Sequence, residues 1–334
     1  MKVLIFPKDP NPYQELLYSQ LRLKIKIKYL ANPTKSYALG LILLFPQLLI
    51  YRLKGFDIFH LHWVYNFKSP INNILFKTIV TIYFLLFLSI IKLLRYKLIW
   101  TVHNVLPHDK QFVNDVLARR FLSKLCDAKI VHSESTIDEM KKIKMDTKNV
   151  YIIPHGNYIE SYENKVNERD AKKYFDYKID DFVFLFFGRI EKYKGIEDLL
   201  EVFKKITKKR KNIKLLIAGK CQDENLKKLL NNYKNKLRNN IKICTKFIEN
   251  NEVQYYFNCA NAIVYPFKEI TTSGSVILAL SFGKPVICPR IGALKDMPDN
   301  LGYFYNERDE KGLYNCMLKA IENKKDLQSW RKRI

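Results

Sequence analysis

Short apolar runs alternate with longer stretches of helical periodicity along the whole chain, and this alternation limits the possible folds more than any other feature. "KVLIF" (2–6), "IKIKYL" (25–30), "IFHLHW" (58–63), "KLIWTVH" (97–103), "AKIVHS" (128–133) and "VYIIPHG" (150–156) have the length and character of buried strands. Helical stretches lie between them, beginning with "PYQELLYSQLR" (12–22), which has Pro12 near its first turn. Strands separated by helices in this way build βαβ units and a parallel sheet. The polar segment 157–181 breaks the rhythm, which restarts with "FVFLFFG" (182–188), "IKLLIAG" (213–219), "IKICTKF" (241–247), "AIVYPF" (262–267) and "KPVICP" (284–289). The expected fold is therefore α/β, with two tandem Rossmann-like doubly wound domains, residues 1–160 and 182–334, joined by a linker with a short helix over 161–181. Ligands of such sheets bind outside the carboxyl ends of the strands, so the expected site is a cleft that the two domains face.

With 334 residues the chain can bury two cores. Its formal net charge of +25 is spread evenly, +13 over residues 1–150 and +12 over the rest, so no basic tail stands apart. Such a surface attracts anions: nucleic acid, anionic lipid or phosphorylated ligands. The six cysteines form no C-x-x-C pair and mostly sit in apolar runs, which reads as buried free thiols in a reducing compartment and not as a zinc site. "MKVLIF" reads as a strand and not as a secretory leader.

Two stretches, 38–53 and 71–97, are unusually apolar. Residues 78–91 carry no charge, yet Lys77 and Lys92 bracket a run shorter than the roughly 20 residues of a membrane span. Each stretch stands where a crossover helix belongs. Phe84, Leu85, Leu86, Phe87 and Leu88 cover every side of such a helix, more than one sheet face can bury. The excess is expected to lie in a bilayer interface, with Lys92, Arg95 and Lys97 on anionic head groups.

The residues that carry chemistry cluster at strand ends. In "FFGRIEKYKG" (186–195) an apolar strand stops at Gly188, Arg189 follows, and Lys194 and Gly195 open the next helix. Alone, the stretch reads as a solvated charged turn. Arg offers a planar fork for phosphate oxygens and Lys a mobile point charge. In "YPFKEITTSGSVILALSFGKPVI" (265–287) a strand end is followed by Glu269 and then by Thr271, Thr272, Ser273, Gly274 and Ser275 at the start of an apolar helix. A Ser N-cap beside a glycine frees backbone N–H groups for an anion, and the helix dipole adds to the attraction. The cations, the helix start and a carboxylate suited to sugar hydroxyls describe a cradle for a nucleotide diphosphate sugar. No G-x-S-x-G, P-loop, H-E-x-x-H or D-x-D motif is present, so no metal and no cofactor are expected.

"GRIEKYKG", "IAGK", the 265–287 stretch and the tandem layout resemble the retaining glycosyltransferases of the GT-B fold, the large family four type. "HLHW" and "TVHNVLPH" extend the resemblance to bacterial and archaeal enzymes of that type. The resemblance implies that Gly188, Arg189, Lys194 and Thr272–Ser275 bind the donor diphosphate. It implies that Glu269, the first Glu of the family's E-x7-E motif, contacts the donor sugar. The second Glu is missing: Ile277 stands there, or Leu278 when "FGKPV" sets the alignment. Phe247 and Ile248 match the region that covers the base. His103 matches the histidine near the transferring sugar, and Glu269 and His103 are the expected catalytic residues. Asp9, His62, Asn104 and His108 are weaker acceptor-side candidates, and His155 and Gly156 shape the hinge side. Members of that family continue into a helix that crosses back onto the first domain, so past "SWRKRI" the expectation is either a truncated chain or a short crossing helix.

The expected activity is a metal-independent hexosyltransferase that moves a sugar from a nucleotide diphosphate sugar to a hydroxyl of a lipid-linked or other glycan acceptor, in cell-surface polysaccharide or glycolipid assembly. The expected location is cytoplasmic, peripheral on the inner face of the cell membrane, against its anionic surface. A nucleotide-sugar epimerase or hydrolase on the same fold is the alternative, and the apolar helices argue against it. A basic nucleic-acid-binding protein ranks last, because the aromatic residues lie in apolar runs and are not interleaved with cations, and no nucleic-acid partner is expected.

Overall fold

The computed structural model describes residues 1–9, 11–30, 37–64, 67, 73–107 and 109–324. It divides into two units, Met1–Gly156 and Asn157–Ile334. The first contains β1 (Lys2–Phe6), α1 (Tyr13–Ser19), β2 (Lys26–Tyr29), α2 (Tyr37–Ile42), α3 (Leu44–Leu53), β3 (Ile58–Leu61), α4 (Ile74–Leu93), β4 (Lys97–Thr101), α5 (Asp115–Leu125), β5 (Ala128–Val131), α6 (Glu134–Lys142) and β6 (Val150–Ile152). The second contains α7 (Glu168–Tyr174), β7 (Phe182–Phe187), α8 (Ile196–Thr207), β8 (Ile213–Ala218), α9 (Glu224–Lys236), β9 (Ile241–Cys244), α10 (Val253–Cys259), β10 (Ala262–Val264), α11 (Gly274–Ser281), β11 (Val286–Pro289), β12 (Gly302–Tyr305) and α12 (Gly312–Glu322).

Each unit holds one six-stranded sheet, in the orders β2-β1-β3-β4-β5-β6 and β12-β11-β10-β7-β8-β9. Every strand pair is parallel. Strand order reverses between β1 and β3 in the first sheet and between β7 and β10 in the second. Those reversals open the crevices in which doubly wound sheets bind ligands. Residues 6–9 and 62–63 border the first crevice, and 188–189 and 265–269 border the second.

The strands are legible because a sheet covered on both faces buries nearly every side chain; all six residues of β7 are buried. In β1, Leu4 and Phe6 join the main core of the first unit, while Val3 and Ile5 face the other way with Tyr18. The main core lies under α3 and α4. The ring of Phe87 lies within 5.5–6.1 Å of those of Phe6, Phe45, Phe59 and Phe67.

The segment expected as a linker, 161–181, belongs to the second unit. The Lys165 N–H donates to Gln254 Oε1 (2.9 Å), Asn258 Nδ2 donates to the Val166 carbonyl (2.8 Å), and Tyr174 stacks on Tyr255 at 4.5 Å. Lys172 is buried and donates to the carbonyls of Ile179 (2.7 Å) and Asp181 (2.9 Å). Polar composition here reflects backbone carbonyls and side-chain amides used for docking. Strand β12 has no counterpart in the sequence reading: "GYFY" is four residues long and begins with glycine, which leaves no apolar run to detect.

α4 is 20 residues long and buries Val80, Phe84, Phe87, Leu88 and Ile91. It is long and apolar enough to cross a membrane by length and composition. Leu75, Ile79, Ile82, Leu86 and Leu93 are exposed and fall at helical spacing on one stripe. Two of the cations expected at lipid head groups are engaged elsewhere: Lys92 and Lys97 pair with Asp127 at 2.5 and 3.4 Å. Truncating the core side of α4 tests this packing. Phe87→Ala should destabilise the first unit by about 3–5 kcal/mol, read as a lower urea midpoint of that unit's unfolding.

Candidate functional site

The second unit brings together Gly188, Lys194 and Ser275. Gly188 ends β7 at φ +116°, and a Cβ there would stand 3.1 Å from Ser275 Oγ and 3.4 Å from Lys194 Nζ. Only a glycine lets an ammonium group and a hydroxyl approach the strand end so closely. Gly219 makes room in turn: at φ +141° its Cβ would lie 1.9 Å from the Gly188 carbonyl oxygen. Lys194 sits in the 3-10 turn Lys192–Lys194 before α8 and is 6% exposed. Burial pulls its ammonium group down to about 8, with Glu191 opposing the shift and Arg189 adding to it. Loss of hydration outweighs the neighbouring carboxylate, so an anion brought to this point would restore the charged form.

Arg189 is not drawn into the cluster. Its guanidinium is exposed and pairs with Glu191 at 3.0 Å. Ser273 caps α11, its hydroxyl accepting from the Val276 N–H at 3.2 Å. The N–H groups of Gly274 and Ser275 belong to the first turn, which has no intrahelical acceptors. Thr272 Oγ1 is buried without a hydrogen-bond partner among the described residues. Glu269 is exposed on the loop after β10, and that loop is tied to the Lys194 turn by the Lys268 N–H, which donates to the Tyr193 carbonyl at 2.8 Å. Phe247 is 64% exposed, while Ile248 is buried. Ile248 is therefore a core residue in this structure, and Phe247 alone of the pair presents a surface to a ligand. Ile277 and Leu278, at the place of the family's second Glu, lie half-buried and buried on α11.

In the first unit, each strand from β3 to β6 is followed within three residues by a histidine: His62, His103, His132 and His155. With His60 these are five of the six histidines of the chain. They gather around Tyr13, whose ring lies 4.9 Å from those of His103 and His155 and 5.5 Å from that of His132. His103 is stacked by Trp63 at 4.2 Å with the rings 10° apart, so one face is covered and Tyr13 meets it edge-on. His62 is 1% exposed, and both ring nitrogens are engaged, Nε2 with the Tyr18 hydroxyl (2.9 Å) and Nδ1 with His103 Nε2 (3.3 Å). Direct contact between His62 and an acceptor is closed off by that burial.

Asp9 Oδ1 accepts from the Asn11 N–H at 2.8 Å, and Asn104 is half-buried on the loop after β4. His108 lies outside the described residues. His132 and His155 donate from Nδ1 to the carbonyls of Ile153 (2.8 Å) and Gly156 (2.7 Å), respectively, which fixes their tautomers. Tyr13, Tyr18, Trp63, Thr101 and His132 were not singled out in the sequence. A histidine at the end of four successive strands was the available signal for His132.

Burial holds this cluster neutral. His60 is lowered to about 3 and His155 to about 4, and desolvation and the other histidines hold His62 and His103 well below the usual range. No carboxylate stands among the causes of these shifts. In the unfolded chain each imidazole takes a proton below about pH 6.5. Between that pH and the folded values the unfolded state binds more protons, so stability falls as pH falls. Each histidine contributes up to about 1.4 kcal/mol per pH unit. Acidification from pH 7.5 to pH 5 should therefore lower the Tm of the first unit, as read by scanning calorimetry. A flat or rising Tm over that window would contradict a buried neutral cluster.

Comparison with known proteins bears on both units. Residues 181–323 match the family model described as Glycosyl transferases group 1. An uncharacterized glycosyltransferase of Methanocaldococcus jannaschii is 29% identical over 198 residues, 57% of this chain and 47% of that protein. The GDP-mannose:glycolipid 4-beta-D-mannosyltransferase of Xanthomonas campestris pv. campestris is 23% identical over 287 residues, 80% of this chain and 72% of that one. The chain thus spans about half the length of the first relative and about seven tenths of the second. Among solved structures, Anabaena HepE in complex with UDP and glucose superposes with a TM-score of 0.75 at 14% identity, over 99% of this chain and 92% of that one. The second unit thus matches the group 1 glycosyl transferases, and the two parallel six-stranded sheets give the chain the GT-B fold.

Proposed function

We propose that the chain transfers a sugar from a nucleotide diphosphate sugar, held by the second unit, to a hydroxyl of a lipid-linked glycan, held by the first. The convergence of Lys194 Nζ and Ser275 Oγ on Gly188 at the strand-order reversal carries the donor half of this reading. A diphosphate there would meet a buried ammonium group, a hydroxyl and the first-turn N–H groups of α11. Charge that develops on the departing diphosphate would be stabilised by groups already in place. Among the described residues no cluster of three or more His, Cys, Asp or Glu side chains could hold a metal ion, and the proposed leaving-group stabilisation rests on Lys194 and the helix start. Anabaena HepE, bound to UDP and glucose, supports a uridine- or other nucleoside-diphosphate donor. Glu269 would contact the donor sugar, Phe247 the base, and His103 the reacting centre or the acceptor. Arg189 would join the diphosphate after leaving Glu191.

The acceptor half rests on a relative named for a glycolipid acceptor and on the exposed apolar stripe of α4. That stripe, with Leu49, Ile50 and Leu53 exposed on α3, is larger than scattered surface residues account for. Since the opposite side of α4 lies in the first unit's core, the helix would rest in the interface of the cytoplasmic leaflet and not cross it. Arg95 is exposed and available to an anionic head group.

Two measurements test these halves. Lys194→Ala should weaken nucleotide diphosphate binding about 10- to 100-fold by calorimetry, the worth of a charged hydrogen bond of roughly 1.5–3 kcal/mol. In the native chain that affinity should be full below pH 8 and fall above it, because the free ammonium group then loses the proton that the phosphate holds. Unchanged affinity in the variant would remove Lys194 from the donor site. For the membrane, Ile79→Glu with Leu86→Glu should abolish co-sedimentation with vesicles containing anionic lipid while leaving Tm unchanged. Vesicle binding that survives both changes would place the attachment elsewhere.

A further inference from the structure

The histidine cluster contains one continuous hydrogen-bonded chain. Thr101 Oγ1 lies 2.9 Å from His60 Nε2, and His60 Nδ1 lies 2.5 Å from the Tyr18 hydroxyl. The same hydroxyl lies 2.9 Å from His62 Nε2, and His62 Nδ1 lies 3.3 Å from His103 Nε2. His60, His62, Tyr18 and Thr101 are all buried, so no water competes for these links.

Counting protons constrains the chain. Each neutral imidazole has one N–H and one lone pair, and each hydroxyl has one proton. Tyr18 faces two ring nitrogens with a single proton, so it donates to one and accepts from the other. If it donates to His60 Nδ1, then His60 Nε2–H donates to Thr101. On the other side His62 Nε2–H donates to Tyr18, and His103 Nε2–H donates to His62 Nδ1. His103 then presents a bare Nδ1. If Tyr18 donates to His62 Nε2, every link reverses: His62 Nδ1–H donates to His103 Nε2, and His103 carries its proton on Nδ1. Any third arrangement leaves a buried polar atom unpaired, at the cost of its desolvation.

We infer that Tyr18 is a positioning residue: through His62 it sets which ring nitrogen of His103 carries the proton, and so whether His103 accepts or donates at the reacting centre. His132 and His155 stand outside this control, since backbone carbonyls fix their tautomers. They are also the titratable groups that face His103 from the neighbouring strands, together with Tyr13 and His60. The consequence for catalysis rests on the transfer reaction proposed above; the tautomer coupling does not.

The experiment is nitrogen-15 NMR of the imidazoles in the full chain, wild type against Tyr18→Phe, which removes one oxygen and keeps the ring. In the wild type the two His103 nitrogen shifts should report a single tautomer. In Tyr18→Phe they should move to a mixture or to the opposite tautomer. Thr101→Val breaks the chain at the far end and should shift His103 in the same way, which covers the case of a Tyr18 variant that does not fold. With donor and acceptor, Tyr18→Phe should lower kcat about tenfold or more and change the pH–rate profile, leaving nucleotide affinity unaltered. His103 shifts identical to wild type in the folded variants would overturn the inference. Altered shifts with unaltered turnover would uphold the coupling and remove His103 from the proposed reaction.

Discussion

Parallel pairing in both sheets is the constraint on which the rest depends. When all six strands run the same way, every carboxyl end reaches one edge, and the residue after each strand is delivered there whatever its distance in sequence. The first unit uses that edge to assemble histidines from four strands. The second uses it to set a glycine after β7 beside a serine after β10. The chemistry of the first unit follows from which residue stands one to three places beyond a strand, and that of the second from the strand-end glycine and the loops that lead into α8 and α11.

The two edges differ electrostatically in a way that suits different tasks. The second unit buries a cation and lets it lose part of its charge, a state that an incoming polyanion would relieve. The first buries neutral imidazoles whose nitrogens serve as hydrogen-bond donors and acceptors. A buried lysine is expensive until a phosphate arrives; a hydrogen-bonded imidazole chain is satisfied as it stands. In the proposed reaction one edge serves binding and the other proton placement.

The strands were legible because doubly covered parallel strands are continuous apolar runs, and "FVFLFFG" could hardly be read otherwise. Gly188, Lys194 and the Ser273–Ser275 helix start were legible because strand ends and caps are local signals. The hydrogen bonds of Tyr18 were not, since its partners His60 and His62 lie 42 and 44 residues away. Arg189 and Lys194 looked equivalent in sequence, yet Glu191 holds one in solvent while the turn buries the other. Composition misread 161–181, where polar side chains serve docking contacts, and Gly302 hid a strand that forms at the sheet edge.

The contact between Gly219 and the carbonyl of Gly188 has a consequence for how this protein tolerates change. Gly219 touches no proposed ligand and lies on a different strand end, yet any side chain there would push on the backbone that Lys194 and Ser275 crowd. Random mutagenesis scored by activity would rank Gly219 with the ligand-contacting positions. The two glycines form a single unit of inheritance: a lineage that alters one would have to rebuild the turn around the other before it could keep the altered residue.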